Sequence, residues 1–531
     1  MNTALLLDRA ATATPERTAV YLGAQPLLTY RELRDRVAAL AAAMTDLGCA
    51  PGERVAIVMN NRPEYLEVLF ATWWAGLAVV PVNAKLHPRE VAWIVQDAGA
   101  RLVVTDEEHV AGVVGASAGK PLLVADSAEY DALAGSRGAV TSPPRSMTPT
   151  DLAWLFYTSG TTGRPKGVML GHRQLLALTL SYHAQIDNVG PDDRTLYAAP
   201  MSHGAGLYSP VFTLRGSGHV FPPSGRFDAA ETCRISRALG RVSLFAAPTM
   251  VNRLVRHVTE TEKGTGTSVK DTMAFRTIVY GGGPMYVDDL LRARDVLGDC
   301  LTQIYGQGES PMTITTLGRD VIADESHPGR QHRIAGVGTA FALCDVKVVD
   351  ADGAQLPPGT TGEIVVRGDT VMLGYWHNPE ATARTLHDGW LWTGDMGSLD
   401  EEGYLTLKDR SKDVIISGGT NIYPREVEEV LLQHPNVTEV SVIGKADPEW
   451  GEAVVACVVV DDSAVDAVQL DEFCRQHMTA FKRPRHYHFL DTLPKSDNGK
   501  VIKAVLRTAY SEPSPVSASA GRLPAQQKES P

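Results

Sequence analysis

The chain has 531 residues, 44% of them hydrophobic and 21% charged, which is typical of a globular protein with more than one domain. Fifty Lys and Arg against 62 Asp and Glu give a formal net charge of −12, and the absence of a basic stretch excludes nucleic acid as an expected partner. No apolar run is long enough to span a bilayer, and the six scattered cysteines lack a metal-binding or disulfide spacing. We therefore expect a cytoplasmic protein.

The first 150 residues alternate between strand-like and helix-like patterns. Apolar runs predict strands at 55–59, 77–82 and 102–105, and helical spacing predicts helices at 63–74 and 87–98. Strands that alternate with helices indicate parallel βαβ units. Residues 134–149 are rich in Gly, Ser, Pro and Thr, and predict a loop.

A Gly- and Thr-rich loop follows an apolar run, at residues 152–156, that predicts a buried strand. The loop carries Thr158, Ser159, Gly160, Thr161, Thr162, Gly163 and Lys166. Glycines let backbone N–H groups converge on an anion, hydroxyls add donors, and Lys166 adds a positive charge. This composition predicts a polyphosphate-binding loop. It is not of the Walker type, because Gly167 follows the lysine where that motif has Ser or Thr, so a metal ligand must come from elsewhere.

Further short strands follow the loop, each expected to end in a Gly- or Pro-rich turn. A helix is predicted at 172–184, and strands are predicted at 194–199, 242–246, 277–280 and 301–304. Because parallel sheets bind ligands beyond the carboxyl ends of their strands, we expect these turns to converge on one site with the phosphate loop.

The pattern changes after residue 336. Segments 345–349, 362–367 and 404–407 predict antiparallel strands, residues 409–412 form a charged linker, and residues 413–510 predict a compact α+β segment. Residues 511–531 are of low complexity and are expected to be disordered. The fold class is therefore α/β: a large N-terminal domain (1–409) of parallel βαβ-type sheets with a small β-barrel-like part, a hinge (410–412), and a small mobile α+β C-terminal domain (413–510).

Seven motifs in order resemble the adenylate-forming superfamily, which includes acyl- and aryl-CoA synthetases. They lie at residues 158–166, 200–206, 305–309, 393–395, 409–410, 418–426 and 494–500. The resemblance covers nearly the whole chain except its tail. It implies that a carboxylic acid reacts with Mg-ATP to give an acyl-adenylate and pyrophosphate, and that the acyl group then passes to a thiol, here CoA.

The resemblance assigns roles around ATP. It places Glu309 on Mg²⁺, a hard cation that prefers oxygen ligands, and adenine against Tyr305. The segment along adenine is matched by Gly281, Gly282 and Gly283. The motif of Tyr305 and Glu309 also contains Gly306, Gln307 and Gly308, which are assigned to the nucleotide site. Relatives usually have Thr at position 308, so the hydroxyl that would hold the AMP phosphate is missing there.

Other roles concern the ribose and the C-terminal domain. Asp395 resembles the carboxylate that binds the ribose hydroxyls, Arg410 its partner cation, and Lys412 the hinge. Lys500 matches the lysine that bridges the substrate carboxylate and the α-phosphate, which makes it the strongest catalytic candidate. The surrounding pattern also matches reversible lysine acetylation, which would remove this charge.

Gly418, Gly419 and Trp450 resemble the residues along the CoA path. The resemblance assigns a catalytic or gating role to His203. Candidate acyl-pocket residues are His203, Tyr208, Gly282, Gln307 and Met312, with small side chains at 281–283 that favour an aryl or medium-chain acyl group. Residues 200–208 contain no Asp, which argues against an amino-acid substrate.

Alternatives stay open at this point. The enzyme could load a separate carrier protein instead of CoA, or use ATP to activate nitrite for an aromatic amine, as diazotising relatives do. A non-catalytic nucleotide-binding protein is disfavoured by the presence of Lys166, Glu309, Asp395, Arg410 and Lys500 together.

Overall fold

The structure is a computed structural model. It describes residues 1–117, 119–135, 142–158, 165–265, 275–283, 285–410, 413–417, 420–448, 450–461, 465–496 and 501–510. The chain forms two compact units, one of Met1–Val346 with Val365–Trp392 and the other of Lys347–Ile364 with Thr393–Pro531.

The strands and helices are numbered in chain order. The first strands are β1 Thr18–Leu22, β2 Gln25–Thr29, β3 Arg54–Val58, β4 Ala78–Pro81, β5 Ala100–Thr105, β6 Leu122–Val124, β7 Leu152–Thr158, β8 Lys166–Gly171, β9 Arg194–Leu196, β10 Gly218–Phe221, β11 Val242–Ala246, β12 Phe275–Tyr280, β13 Leu301–Gln307, β14 Ser310–Leu317 and β15 Thr339–Ala340. The others are β16 Cys344–Val349, β17 Gly362–Gly368, β18 Gly374–Tyr375, β19 Leu386–His387, β20 Trp390–Leu399, β21 Leu405–Arg410, β22 Ile415–Ser417, β23 Thr420–Ile422, β24 Val437–Asp447, β25 Gly451–Val460 and β26 His486–Phe489. The helices are α1 Leu5–Ala13, α2 Tyr30–Asp46, α3 Pro63–Trp74, α4 Pro88–Asp97, α5 Val110–Ser117, α6 Ala128–Gly135, α7 His172–Gln185, α8 Gly204–Leu207, α9 Ser209–Leu214, α10 Ala229–Leu239, α11 Pro248–Thr265, α12 Val287–Leu297, α13 Arg319–Ala323, α14 Arg330–Ala335, α15 Pro379–Thr385, α16 Pro424–Leu431, α17 Ala467–His477 and α18 Lys503–Tyr510.

Two large sheets lie in the first unit. The nine-stranded sheet has the order β15-β14-β13-β12-β11-β9-β10-β1-β2, and the seven-stranded sheet has the order β18-β8-β7-β4-β3-β5-β6. The central pairs of both sheets are parallel, whereas the pairs β1–β2, β13–β14, β14–β15, β7–β8 and β8–β18 are antiparallel. The parallel βαβ prediction thus holds for the interior of each sheet, and hairpins extend the edges.

Local sequence explains several helices. Helix α2 begins at a capping box in which Thr29 and Glu32 each bond the other's backbone N–H. Helix α3 begins at Pro63, where the missing N–H carries no cost, and buries nearly its whole length. The buried carboxylate of Glu67 on α3 is paired with Arg36 of α2 at 2.8 Å and accepts a 2.8 Å hydrogen bond from Tyr130 of α6. Buried charge is tolerated when it is paired in this way.

Two smaller sheets contain the later strands. One has the order β16-β17-β20-β19, with β21 also pairing β20, at the place of the predicted β-barrel-like part. The other, in the second unit, has the order β23-β22-β25-β24, with β26 parallel to β25. Helices α16 and α17 cover its apolar face, and residues such as Val427, Val442 and Leu470 form the core. The described part of residues 413–510 contains both helices and strands, as the α+β prediction stated.

Most predicted elements exist, with specific corrections. Strand β13 continues through Gly306 and Gln307, which were predicted as turn residues. Strand β8 follows the phosphate loop, where no strand was predicted, and β9 ends at Leu196. Strand β21 includes Asp409 and Arg410, which were predicted to begin a charged linker. In the described part of the chain, no helix has the length and apolarity needed to cross a membrane.

Candidate active site

The phosphate loop joins two antiparallel strands at one edge of the seven-stranded sheet. Thr158 ends β7 and pairs directly with Lys166, the first residue of β8. The predicted loop residues Ser159, Gly160, Thr161, Thr162 and Gly163 lie outside the described residues. The hairpin therefore defines where the loop begins and ends, with its lysine opposite its first threonine.

A second loop, at the β13–β14 hairpin of the other large sheet, meets this one. An ideal Cβ on Gly308 would lie 2.4 Å from Cγ2 of Thr158 and 3.0 Å from the Phe156 ring. A side chain at position 308 would therefore require the Thr158 side chain to shift from the position that it has here. Of the turns predicted to converge, this one meets the start of the phosphate loop, and it does so from the other large sheet.

Glu309 lies in this hairpin turn and is half-buried. Its Oε1 accepts a 2.6 Å hydrogen bond from the Tyr375 hydroxyl, and its backbone carbonyl accepts one from Met372 N at 2.8 Å. Among the described residues, no group of three or more His, Cys, Asp or Glu side chains could hold a metal ion. A single carboxylate fits Mg²⁺ bound with ATP, since that ion takes its other ligands from phosphate oxygens and water.

The predicted adenine segment lies where β12 runs parallel to β13. Tyr305 on β13 is buried, and Gly281 packs so closely that a Cβ would lie 2.6 Å from the Ile304 carbonyl oxygen. Gly282 has a φ of +80°, with open space around an added Cβ, and Gly283 has only Pro248 nearby. Glycine at 281 is thus required by packing, and glycine at 282 by backbone conformation.

Two of the predicted acyl-pocket residues contact aromatic rings, and a third lies near one of these rings. The His203 ring contacts Phe156 edge-on at 5.6 Å between ring centroids, and Tyr208 contacts Phe245 at 6.0 Å. Between them, a Cβ on Gly204 would lie 2.8 Å from both the Met312 sulfur and the Phe245 ring. Tyr208 and Met312 thus lie close to Phe245, whereas His203, which precedes Gly204 in the chain, contacts Phe156. Of the other two candidates, Gln307 pairs with Ser310 across the β13–β14 hairpin, and Gly282 belongs to the segment above.

His203 enters this group as a neutral ring. It is partly buried, and removal from water lowers the pKa of the imidazole to about 4. Its Nδ1 lies 3.3 Å from the Ser202 hydroxyl. At neutral pH the ring therefore offers an aromatic surface and hydrogen bonding, and does not supply a positive charge to a carboxylate.

Two supporting residues were missed in the sequence. Asn61 is buried after β3: its amide donates to the carbonyls of Tyr197 and Ala199, both at 2.7 Å, and accepts from Met201 N at 2.9 Å. It thereby holds the loop that leads to His203. Tyr375, the partner of Glu309, is the second. A polar Asn directly after a buried strand was a usable signal for Asn61, whereas no local pattern singles out Tyr375.

The second unit carries the predicted ribose residues. Asp395 on β20 is buried and pairs in register with Arg410 on β21, so the two backbones lie opposite each other. Gly394 has a φ of +71°, and its N–H donates to Glu363 at 2.9 Å. The Arg410 side chain and residues Lys412, Gly418, Gly419 and Lys500 lie outside the described part of the structure.

The predicted CoA-side residue Trp450 also belongs to this unit. It is 37% exposed, and the Arg485 guanidinium lies over its ring at 4.4 Å. A guanidinium stacked on an exposed indole presents an aromatic surface beside a cation.

Fold and site together define an ATP-dependent ligase of the adenylate-forming class. Residues 7–376 match the AMP-binding enzyme family, and residues 426–500 match the AMP-binding enzyme C-terminal domain. The chain belongs to this family, as its motif order predicted.

Similar proteins span nearly the full length. A feruloyl-CoA synthase of an Amycolatopsis species is 37% identical over 510 residues, which covers 94% of this chain and 98% of the relative. A fatty acid–[acyl-carrier-protein] ligase of Streptomyces coeruleorubidus is 34% identical over 491 residues, which covers 91% of this chain and 92% of the relative. Among solved structures, ATP-bound MatB from Rhodopseudomonas palustris matches with a TM-score of 0.86 at 30% identity. The match covers 96% of this chain and 99% of MatB.

Proposed function

We propose that this protein is an AMP-forming acid–thiol ligase. It activates an aryl or medium-chain carboxylic acid as an acyl-adenylate, releases pyrophosphate, and transfers the acyl group to CoA. The main supporting observation is that the β13–β14 turn meets the start of the phosphate loop in the first unit: Gly308 packs against Thr158, which pairs with Lys166, and Tyr375 contacts both Glu309 and Lys166. Membership of the AMP-binding family supports the use of ATP.

The nucleotide roles follow from charge and position. Lys166 and the phosphate loop hold the β- and γ-phosphates, and Glu309 holds Mg²⁺, which neutralises phosphate charge. Tyr305 lies along adenine, and Asp395 with Arg410 binds ribose. Phosphoryl transfer of this kind depends on positioning and on charge neutralisation.

Rotation of the C-terminal domain about Lys412 completes the proposed cycle. Lys500 bridges the carboxylate and the α-phosphate in the first step, and Gly418 and Gly419 line the thiol path in the second. Two positions of one domain let a single cleft serve two reactions. We also propose that residues 410–412 form the hinge between the N-terminal domain and the C-terminal domain.

The acid is proposed to be aromatic or of medium length. Two aromatic pairs, Phe156 with His203 and Tyr208 with Phe245, lie among the candidate acyl-pocket residues and favour an aryl group. The feruloyl-CoA synthase among the relatives acts on such an acid, which supports the same class. Loading of a carrier protein is the alternative, because another relative is an acyl-carrier-protein ligase.

The diazotase alternative is less well supported. It was kept open by the departure at Gly308, but close packing against Thr158 gives a steric reason for that glycine. A change of chemistry is not needed to explain it.

One experiment tests these proposals together. AMP and pyrophosphate release is measured over a panel of aryl, medium-chain and long-chain acids, with and without CoA, and the products are identified by mass. We expect AMP and pyrophosphate release with an aryl acid. When CoA is present, we expect a product with the mass of the corresponding acyl-CoA. AMP formed only with nitrite and an arylamine would reject the proposal, and acyl transfer only to a carrier protein would replace CoA as acceptor.

Lysine variants separate the two half-reactions. Lys166→Ala and Lys500→Ala should each slow adenylate formation by about 100-fold or more, because each removes a cation from developing phosphate charge. Both should largely spare thioester formation from supplied acyl-adenylate: pyrophosphate, which Lys166 holds, has left by then, and the bond whose formation Lys500 assists has already been made. Single-turnover kinetics measure each half-reaction separately. An equal loss of rate in both half-reactions would contradict these roles.

A further inference from the structure

Tyr375 connects two parts of the site that are distant in sequence. It belongs to the two-residue strand β18, which pairs antiparallel with β8 and sets Tyr375 opposite Val168. Its N–H donates to the Thr382 hydroxyl at 2.9 Å, and the next residue, Trp376, donates its N–H to the Gly167 carbonyl at 2.7 Å. The side chain is 6% exposed. Backbone pairing to β8 therefore fixes where this ring lies.

The segment that carries Tyr375 also fixes Glu309 at several points. The tyrosine hydroxyl donates to Oε1 of Glu309 at 2.6 Å, and Met372 N donates to the Glu309 carbonyl at 2.8 Å. One residue further on, the Ser310 hydroxyl lies 3.1 Å from that of Thr370. Both the backbone and the carboxylate of Glu309 are thus held by residues 370–375.

The same ring contacts the phosphate-loop lysine. The Lys166 ammonium lies over the Tyr375 ring, 5.2 Å from its centroid, within the range of a cation–π interaction. No salt bridge joins Lys166 to Glu309 in the described part of the chain, although both charges contact this one side chain. A direct ion pair would tie up the cation and the carboxylate that the phosphates and the metal need.

Resting on the proposed function, we propose that Tyr375 is a positioning residue for Mg-ATP. Its hydroxyl holds one oxygen of Glu309 and leaves the other for Mg²⁺, while its ring keeps Lys166 apart from that carboxylate. Hydrogen-bonded partners of metal ligands orient the ligand, and their loss typically weakens metal binding by about 10- to 100-fold.

The test compares two tyrosine-to-phenylalanine variants. Tyr375→Phe keeps the ring and removes only the donor to Glu309. Tyr130→Phe is the matched control, because the buried Tyr130 hydroxyl also donates to a carboxylate, that of Glu67 at 2.8 Å, on helices away from the loops. Magnesium is titrated at fixed ATP without an acid, and ATP binding is followed by calorimetry. Thermal unfolding of the nucleotide-free proteins is measured in parallel.

We expect Tyr375→Phe to raise the Mg²⁺ concentration for half-maximal ATP binding by about tenfold, with little change in melting temperature. Tyr130→Phe should lower the melting temperature, because the Glu67 carboxylate is buried and water cannot replace the lost donor, and it should leave the Mg²⁺ requirement unchanged. In a Glu309→Gln background, Tyr375→Phe should have no further effect on the Mg²⁺ requirement, since the positioned carboxylate is gone.

Three results would overturn the inference. An unchanged Mg²⁺ requirement in Tyr375→Phe, with normal Mg-ATP binding by the wild type, would reject the positioning role alone. An equal shift in Tyr130→Phe would show a general effect of stability. A wild-type protein that does not bind Mg-ATP would reject the proposed function itself, and this inference with it.

Discussion

At the scale of single residues, the departure at position 308 has a packing cause. The space that a side chain would need is filled by the Thr158 methyl group, with the Phe156 ring beside it. Thr158 ends the strand before the phosphate loop, so its own hydroxyl lies at the same junction. Glycine at position 308 thus leaves room for the Thr158 methyl group in its present position.

A paired substitution tests this account. Gly308→Ala should slow adenylate formation by tenfold or more and cost about 1–3 kcal/mol of folding free energy, because the added Cβ overlaps Cγ2 of Thr158. Adding Thr158→Ser removes that methyl group, keeps the hydroxyl, and should restore much of both quantities. Single-turnover kinetics and urea unfolding measure them.

Thr158→Ser alone is the control and should change either quantity little. If the double variant is as impaired as Gly308→Ala, the overlap with Thr158 is not the cause. The glycine would then be needed for another reason, such as close approach of the nucleotide.

At the scale of an element, the segment between β9 and α8 depends on a buried side chain from outside it. This segment has little regular structure, and Asn61 satisfies three of its backbone groups. Buried backbone polar groups are costly when unpaired, so one amide can decide the path of such a loop. His203, two residues after Met201, is placed by that path.

Replacement of Asn61 by Asp is expected to disturb this loop. The carboxylate has no donors for the carbonyls of Tyr197 and Ala199, and it adds a buried charge, so the protein should lose about 3 kcal/mol of stability. Acid activation should fall as well, through a higher KM for the acid. Urea unfolding and initial rates of AMP release measure the two effects.

Asn2 supplies a matched control far from the acyl pocket in sequence. Its buried amide also donates to two carbonyls, those of Trp73 at 2.6 Å and Arg145 at 2.9 Å, and accepts from Ala4 N at 2.9 Å. Asn2→Asp should lower stability similarly and leave the KM for the acid unchanged. Equal effects of the two variants on KM would argue against a specific role for Asn61.

At the scale of the whole molecule, buried histidines set the response to acid. Burial lowers the pKa of His172 to about 4 and of His219 to about 3, and desolvation lowers that of His203 to about 4. The Nδ1 atom of His172 accepts from Thr3 N at 3.1 Å, so protonation there would break a buried hydrogen bond. All three rings are neutral in the folded protein at neutral pH.

Stability should therefore fall as the pH drops from about 6.5 toward 4. In that window the unfolded chain binds protons that the folded histidines do not, at a cost of up to about 1.4 kcal/mol per pH unit for each ring. Urea unfolding at pH 7.5 and pH 5.0 measures the difference. A free energy of unfolding that stays constant between these values would contradict the prediction.

Much of the architecture could be predicted from local pattern, and the residues proposed to bind the nucleotide also stand out in the sequence. Helix α3, strand β11, the phosphate-loop anchors and Glu309 all carry short-range signals: a proline start, an apolar run, a Gly- and Thr-rich loop, and a motif in fixed order. The fold class and the family follow from these signals, because periodicity and motif order are properties of the chain itself.

Only the tertiary structure decided which distant residues touch. The contact of Gly308 with Thr158 joins two sheets, Tyr375 reaches Glu309 across 66 positions, and Asn61 holds a loop more than a hundred residues later. No local pattern encodes such pairs, since each depends on how strands stack and on which backbone groups remain unpaired after the sheets form. The sequence by itself thus determined the fold class, the family and the candidate ATP-binding residues. Tertiary packing decided which distant side chains hold those residues in place.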